Sequence, residues 1–247
     1  MGYNDWEMCQ YLARYSFTYS QTHLLTHLHA GHKSFVYSLA ANPLNNLVLS
    51  GGYDGTVRMF DIISGKCIYY FDAHSEPIAA VDFANNGNEF ATGGHDGIVR
   101  IWDANSYVCK KSFFHEGNTP VSSISYTNNG DYILVSTLDD THRLYGNIIP
   151  EAVKPACIKL YKGHSNRKYN IFATTYYRNN KSYIISGSEN NLIYMWDAND
   201  RSVIGTLSGH TDVVLAIACN PNPLYNQIIS AGIDMSIRIH NFSSQEI

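Results

Sequence analysis

The 247-residue sequence contains no basic run longer than the pairs Lys110-Lys111 and Arg167-Lys168, and its formal net charge is -4. A protein that grips nucleic acid through its own surface carries a basic stripe to neutralise phosphates, so direct DNA or RNA binding is not expected. No apolar run approaches the length needed to cross a bilayer, so no membrane-spanning helix is expected. The first residues, Met1-Gly2-Tyr3-Asn4-Asp5-Trp6-Glu7, are acidic where a secretory leader is basic, and Trp6 stands where a myristoylation signal needs Ser or Thr. Cysteine is scarce: Cys9, Cys67, Cys109, Cys157 and Cys219, an odd number without a CxxC spacing. That argues against a disulfide framework and a zinc site, and fits reduced thiols in the cytosol or nucleus. No metal or cofactor is expected. Cys67, Cys109 and Cys157 recur in similar contexts, which predicts a small buried side chain at one strand position of a repeat.

What is present is a repeat. The segment Tyr53-Asp54-Gly55-Thr56-Val57-Arg58-Met59-Phe60-Asp61 returns as His95-Asp96-Gly97-Ile98-Val99-Arg100-Ile101-Trp102-Asp103. Weaker copies lie at Asp139–Tyr145, Asn190–Asp197 and Asp234–His240. The Asp or Asn position moves from 54 to 96, 139, 190 and 234, in steps of 42, 43, 51 and 44. Gly-His pairs at Gly31-His32, Gly163-His164 and Gly209-His210, with Ala73-His74, open four of the copies. A period in the low forties, a Gly-His pair and a terminal Trp-Asp together make the WD-repeat signature. The fold class expected is all-β: a WD-repeat β-propeller with five recognisable blades, short of a seven-bladed ring.

Each copy alternates short apolar-polar runs with turns such as Asn85-Asn86-Gly87, so each is a small sheet that must bury its faces against neighbours. The repeats run over about 31–72, 73–115, 116–162, 163–208 and 209–242. Residues 22–247 are assigned to the propeller, and 1–21 have poor repeat character. The fifth copy ends after three strands at Phe242, and residues 22–29 are expected to supply its outer strand. A gapped arc is the alternative.

In each blade a His, a Ser or Thr, an Asp and an aromatic residue can join in one hydrogen-bonded chain. The sets are His32, Ser50, Asp54 and Phe60; His74, Thr92, Asp96 and Trp102; His164, Ser186, Asn190 and Trp196; and His210, Ser230, Asp234 and His240. The third copy reads Gly117, Val135, Asp139 and Tyr145. A Ser-His-Asp set invites a hydrolase reading, but a catalytic triad is needed once and lies on a nucleophile elbow. Recurrence blade after blade makes these sets structural.

Five further stretches are more specific: Ala73-His74-Ser75-Glu76-Pro77, Asn129–Leu134, Lys168–Ala173, Ser186–Leu192 and Gly209–Val214. They resemble the third to seventh blades of the WD-repeat protein five family, scaffolds of trithorax-type (COMPASS) histone methyltransferase complexes. The resemblance covers residues 31–242. It implies a channel mouth that takes a partner's arginine between two aromatic rings, here Tyr37 and Phe172. Ala79, Ser122 and Leu215 lie at the same depth, and Tyr53, Pro77, His95, Tyr169 and Asn170 are similar to the family's rim. Tyr37 replaces a phenylalanine and Asn170 a cysteine, and two blades of the family's pocket have no counterpart.

A second docking cleft is implied at Asn129, Leu144, Tyr177 and Asn199, with the long loop 147–153 beside it. The function expected is a non-catalytic scaffold of a histone lysine methyltransferase complex. Its partners would be methyltransferase subunits and histone tails or other arginine-bearing peptides, in the nucleus or also the cytoplasm. The alternatives are an adaptor of another assembly, such as a ubiquitin ligase, and an enzyme.

Overall fold

A computed structural model describes residues 31–115, 117–147, 155–178, 180–220 and 227–241. The expected closing strand at 22–29, the segment 1–21, most of the loop 147–153 and Phe242 lie outside the described residues. Among the described residues nineteen strands form five sheets. The first holds β1 (Val36–Ala41), β2 (Leu47–Gly52), β3 (Thr56–Asp61) and β4 (Lys66–Asp72) in chain order. The second holds β5 (Ile78–Phe83), β6 (Glu89–Gly94), β7 (Ile98–Asp103) and β8 (Cys109–Phe114). The third holds β9 (Val121–Tyr126), β10 (Tyr132–Thr137), β11 (Thr141–Gly146) and β12 (Cys157–Tyr161). The fourth holds β13 (Ala173–Arg178), β14 (Lys181–Ser186), β15 (Ile193–Asp197) and β16 (Val203–Leu207). The fifth has three strands among the described residues: β17 (Val214–Cys219), β18 (Gln227–Gly232) and β19 (Ile237–Asn241).

The described residues divide into two compact units. One contains 31–135 with 144–147 and 155–158; the other contains 136–143 and 159–241. In the first unit the sheets stack through apolar strand faces. Leu49, Val57 and Met59 of the first blade bury against Ile78, Val81, Phe90 and Trp102 of the second. Ala80, Val99 and Ile101 of the second pack on Ile124, Ile133 and Tyr145 of the third. Glycine sets how closely these sheets approach: a Cβ on Gly51 would lie 2.6 Å from Ile78 Cγ2, and one on Gly93 would lie 2.5 Å from Val121 Cγ1. Tyr69 of β4 stacks on Tyr107 at 3.9 Å between ring centres, closing the outer rim of the first two blades. In the second unit Ile185, Ile193 and Met195 pack on Val214, Ile217 and Ile228.

The cysteine expectation is corrected. Cys109 and Cys157 are exposed and Cys67 is half-buried. They open the outermost strands β8, β12 and β4, which have a neighbour on one side only. Burial pushes the thiol of Cys219, in β17, up to about 12.

Candidate functional site

The second blade carries the full polar chain. Trp102 Nε1 donates to Thr92 Oγ1 at 3.0 Å, and Thr92 Oγ1 lies 2.7 Å from His74 Nε2. His74 Nδ1 is 3.0 Å from both oxygens of Asp96. The Asp96 carboxylate can only accept, so a neutral imidazole facing it carries its proton on Nδ1, and the threonine hydroxyl donates to the unprotonated Nε2. Burial lowers the His74 pKa despite Asp96, so the ring is neutral at physiological pH. Arg100 Nη1 adds a contact to Asp96 at 3.1 Å.

The first blade repeats this with His32, Ser50 and Asp54, but Phe60 has no donor for the serine. Burial alone would raise Asp54. The amides of Lys33 and Thr56 and the side chains of Thr56 and His32 outweigh it and bring the carboxyl to about 2. In the fifth blade His240 Nε2 takes the indole's place, 3.0 Å from Ser230 Oγ, and Ser230 lies 2.8 Å from His210 Nε2. Ser50, Thr92 and Ser230 are all 0% exposed, so none of these hydroxyls can meet a substrate.

The third and fourth blades depart from the pattern. With Gly117 where the others have histidine, Asp139 is held by Arg143 Nη2 at 2.7 Å and by the Thr137 and Thr141 hydroxyls at 2.6 Å each. The expected chain from His164 through Ser186 to Trp196 is not made. Ser186 Oγ donates to the Gly187 carbonyl at 3.0 Å, and Trp196 Nε1 donates to the Lys162 carbonyl at 2.9 Å. Asn190 turns to Tyr194, donating to its hydroxyl at 2.8 Å. The reason lies in two residues. Asn190 lacks the charge that holds the ring in other blades, and His142 offers His164 a ring to stack on at 3.9 Å.

Three of the residues expected at a channel mouth share a backbone device. Tyr37, Ala79 and Leu215 are each the extra residue of a β-bulge in the first strand of their blade, where the register shifts between Val36 and Ser38, Ile78 and Ala80, and Val214 and Ala216. A bulge re-aims one side chain out of the alternation. Sequence reading placed these residues at one depth but could not see the bulge, which has no glycine to mark it.

In the first unit Tyr37 meets Tyr53 edge-on at 6.0 Å and lies over His95 at 6.4 Å with planes 29° apart. Tyr53 is 52% exposed. Its amide donates to Phe35 O, and that of His95 to Pro77 O, which fixes both loops. Ala79 and Ser122 are fully buried. Phe35, 64% exposed beside this trio in sequence, is an aromatic the sequence reading did not select.

In the other unit Phe172 is half-buried and sits one residue before β13, its amide donating to Leu215 O at 2.9 Å. Tyr169 packs against Ile171, Val213 and Leu215, under the Lys168 ammonium at 5.1 Å. Asn170 beside it is half-buried.

Of the second cleft, Asn129 is exposed, but its side chain is engaged within its own turn, with Thr127 and Asp131. Tyr177 is 55% exposed and bonds Asn180, and the Asn199 amide donates to Asp197 Oδ1. Leu144, on β11, is buried. Among the described residues no group of three metal-ligating side chains occurs.

The family model of the WD domain, G-beta repeat, matches residues 22–61, 65–103, 107–145, 155–197 and 201–241. The COMPASS component SWD3 of Saccharomyces cerevisiae is 28% identical over 211 residues, covering 80% of this chain and 67% of the yeast protein. The WD repeat domain-containing protein 83 homolog of Dictyostelium discoideum is 32% identical over 51% of this chain, and WD repeat-containing protein 82 of Drosophila melanogaster is 27% identical over 83% of it. The matches span 36% and 63% of those two proteins, less than two thirds of either.

Proposed function

The chain belongs to the WD-domain, G-beta repeat family, and on that footing we propose that it is a non-catalytic nuclear scaffold, a subunit of a histone lysine methyltransferase complex that docks arginine-bearing peptides. The observation that carries this reading is the similarity to a COMPASS component over 80% of the chain. Fold alone is no argument, since propellers serve many tasks. The Tyr37, Tyr53 and His95 group supports the docking part. Its rings offer π faces to a planar cation. The fully buried hydroxyls of the His-Ser/Thr-Asp sets favour a scaffold over a hydrolase.

The test is affinity purification of the tagged full chain from nuclear extract, read by mass spectrometry. Co-purifying methyltransferase subunits, lost neither in salt nor with nuclease, are the expected result. Ubiquitin-ligase or ribosomal subunits in their place would overturn it in favour of a general adaptor.

A further inference from the structure

The repeats align residue for residue at the third strand of each blade. Val57, Val99, Ile193 and Ile237 occupy one position of that register, and His142 occupies it in the third blade. Val57, Val99 and Ile193 are 2% exposed or less, and His142 is 0% exposed. An ionisable ring therefore stands where the fold elsewhere uses a branched aliphatic side chain. His142 is accommodated by His164, the opening histidine of the fourth blade, which has left its own Ser186. The two rings lie 3.9 Å apart with planes at 9°, and both stand edge-on to Trp196 at 5.2 and 5.4 Å. One nitrogen of the pair is satisfied, His142 Nδ1, 2.7 Å from Ser136 Oγ. The other three ring nitrogens are buried with no hydrogen-bond partner.

We propose that this stack is a proton-operated latch joining β11 to the loop that leads into β13, closed while both rings are neutral and opened by the first proton. A charged ring here would bury a cation and N–H donors without acceptors. The attraction of a cation for its neighbour's π face is smaller than that cost. A second proton would set two like charges face to face.

The surrounding charges do not relieve this. Arg143 follows His142 directly. Asp139 is bound to Arg143, and Asp140 to Arg167 Nε at 2.6 Å. Glu189 already accepts the amides of Arg167, Lys168 and Tyr169. Burial is accordingly the largest influence on both rings. It takes His142 well below the usual histidine range and His164 down to about 4, against the partial opposition of Asp140, Asp139 and Glu189. Closure is fully favoured above the ordinary histidine value of 6.5 and is lost as pH falls from there toward about 4. Parallel rings send their lone pairs side by side rather than to one point, so the pair suits a proton and not a chelated metal.

The experiment is amide hydrogen exchange on the full chain between pH 7.5 and 4.5, with histidine side-chain NMR on the same samples. After correction for intrinsic exchange, the opening constant of β11 and of residues 162–171 should climb by more than tenfold per pH unit below about pH 6, toward about a hundredfold, because both rings take up a proton on opening. His142→Val, which restores the residue type of the other blades, should flatten that climb, and His164→Phe, which keeps a stacked ring, should flatten it also. Equal pH slopes in wild type and both variants would overturn the latch. So would NMR midpoints at or above 6.5 for both rings, a readout that needs no variant to fold.

Discussion

A buried imidazole between a hydroxyl and a carboxylate is worth most where every partner is present. His74→Ala takes the acceptor from the Thr92 hydroxyl proton and one donor from Asp96, which keep their bonds to Trp102 and Arg100, and an unsatisfied buried group costs about 1–3 kcal/mol. The unfolding midpoint in urea should fall accordingly. Thr92→Val should cost more than Ser186→Ala, because Thr92 serves both His74 and Trp102 while Ser186 touches only the carbonyl next to it. Equal effects would mean that the chain of bonds contributes nothing beyond its separate links. Asp54 adds an acid dependence: its carboxyl is held at about 2, below the ordinary 3.8, so the stability it contributes is present above pH 3.8 and lost as pH falls toward 2. Thermal melts of Asp54→Asn against wild type across that window should converge at the acid end. These sets were legible in the sequence because they recur. The His164 departure was not, because it depends on the distance between His142 and His164, two residues that belong to different repeats.

At the scale of a strand or turn, glycine carries two opposite meanings. Gly93→Ala places a Cβ 2.5 Å from Val121 and 2.7 Å from Ile124 Cδ1, both packed side chains, so overpacking should destabilise the fold by about 1–3 kcal/mol. Gly205, in the outer strand β16, has nothing within 4 Å of its would-be Cβ and no positive φ. Gly205→Ala should therefore be neutral or stabilising by about 0.4–1 kcal/mol, through the entropy of the unfolded chain. Paired urea titrations check the sign of both. The sequence could not distinguish these glycines, since each lies in a strand-like run. It did locate the blades, because apolar alternation and Asn-Gly turns are local signals. It misjudged Cys109 and Cys157, because a strand's face can be read from alternation but its place at the sheet's edge cannot. Bulges at Tyr37, Ala79 and Leu215 escaped for the related reason that a one-residue register shift is a property of two strands together.

For the molecule as a whole, docking is the property most open to measurement, and it isolates what the aromatic residues do. Titration calorimetry with an arginine-bearing histone-tail peptide should show binding to the wild-type chain. Tyr37→Ala removes the ring that meets both Tyr53 and His95. A desolvated cation–π contact is worth about 2 kcal/mol, and one decade of affinity is about 1.4 kcal/mol, so at least about a tenfold loss is expected. Phe172→Ala should weaken binding by a similar factor. Replacing the peptide's arginine with lysine should do the same, because a compact ammonium neither stacks nor forks its hydrogen bonds. Both side chains are more than lightly covered, so far-UV circular dichroism and the urea midpoint must stay unchanged for the loss to be read as binding. Wild-type protein that gives no heat with any arginine peptide, yet melts cooperatively, would remove the channel mouth as a docking site. The scaffold would then have to work through other faces, and the exposed apolar residues of the outer strands, Ile68 and Tyr70 on β4 and Phe114 on β8, would become the surfaces to mutate next.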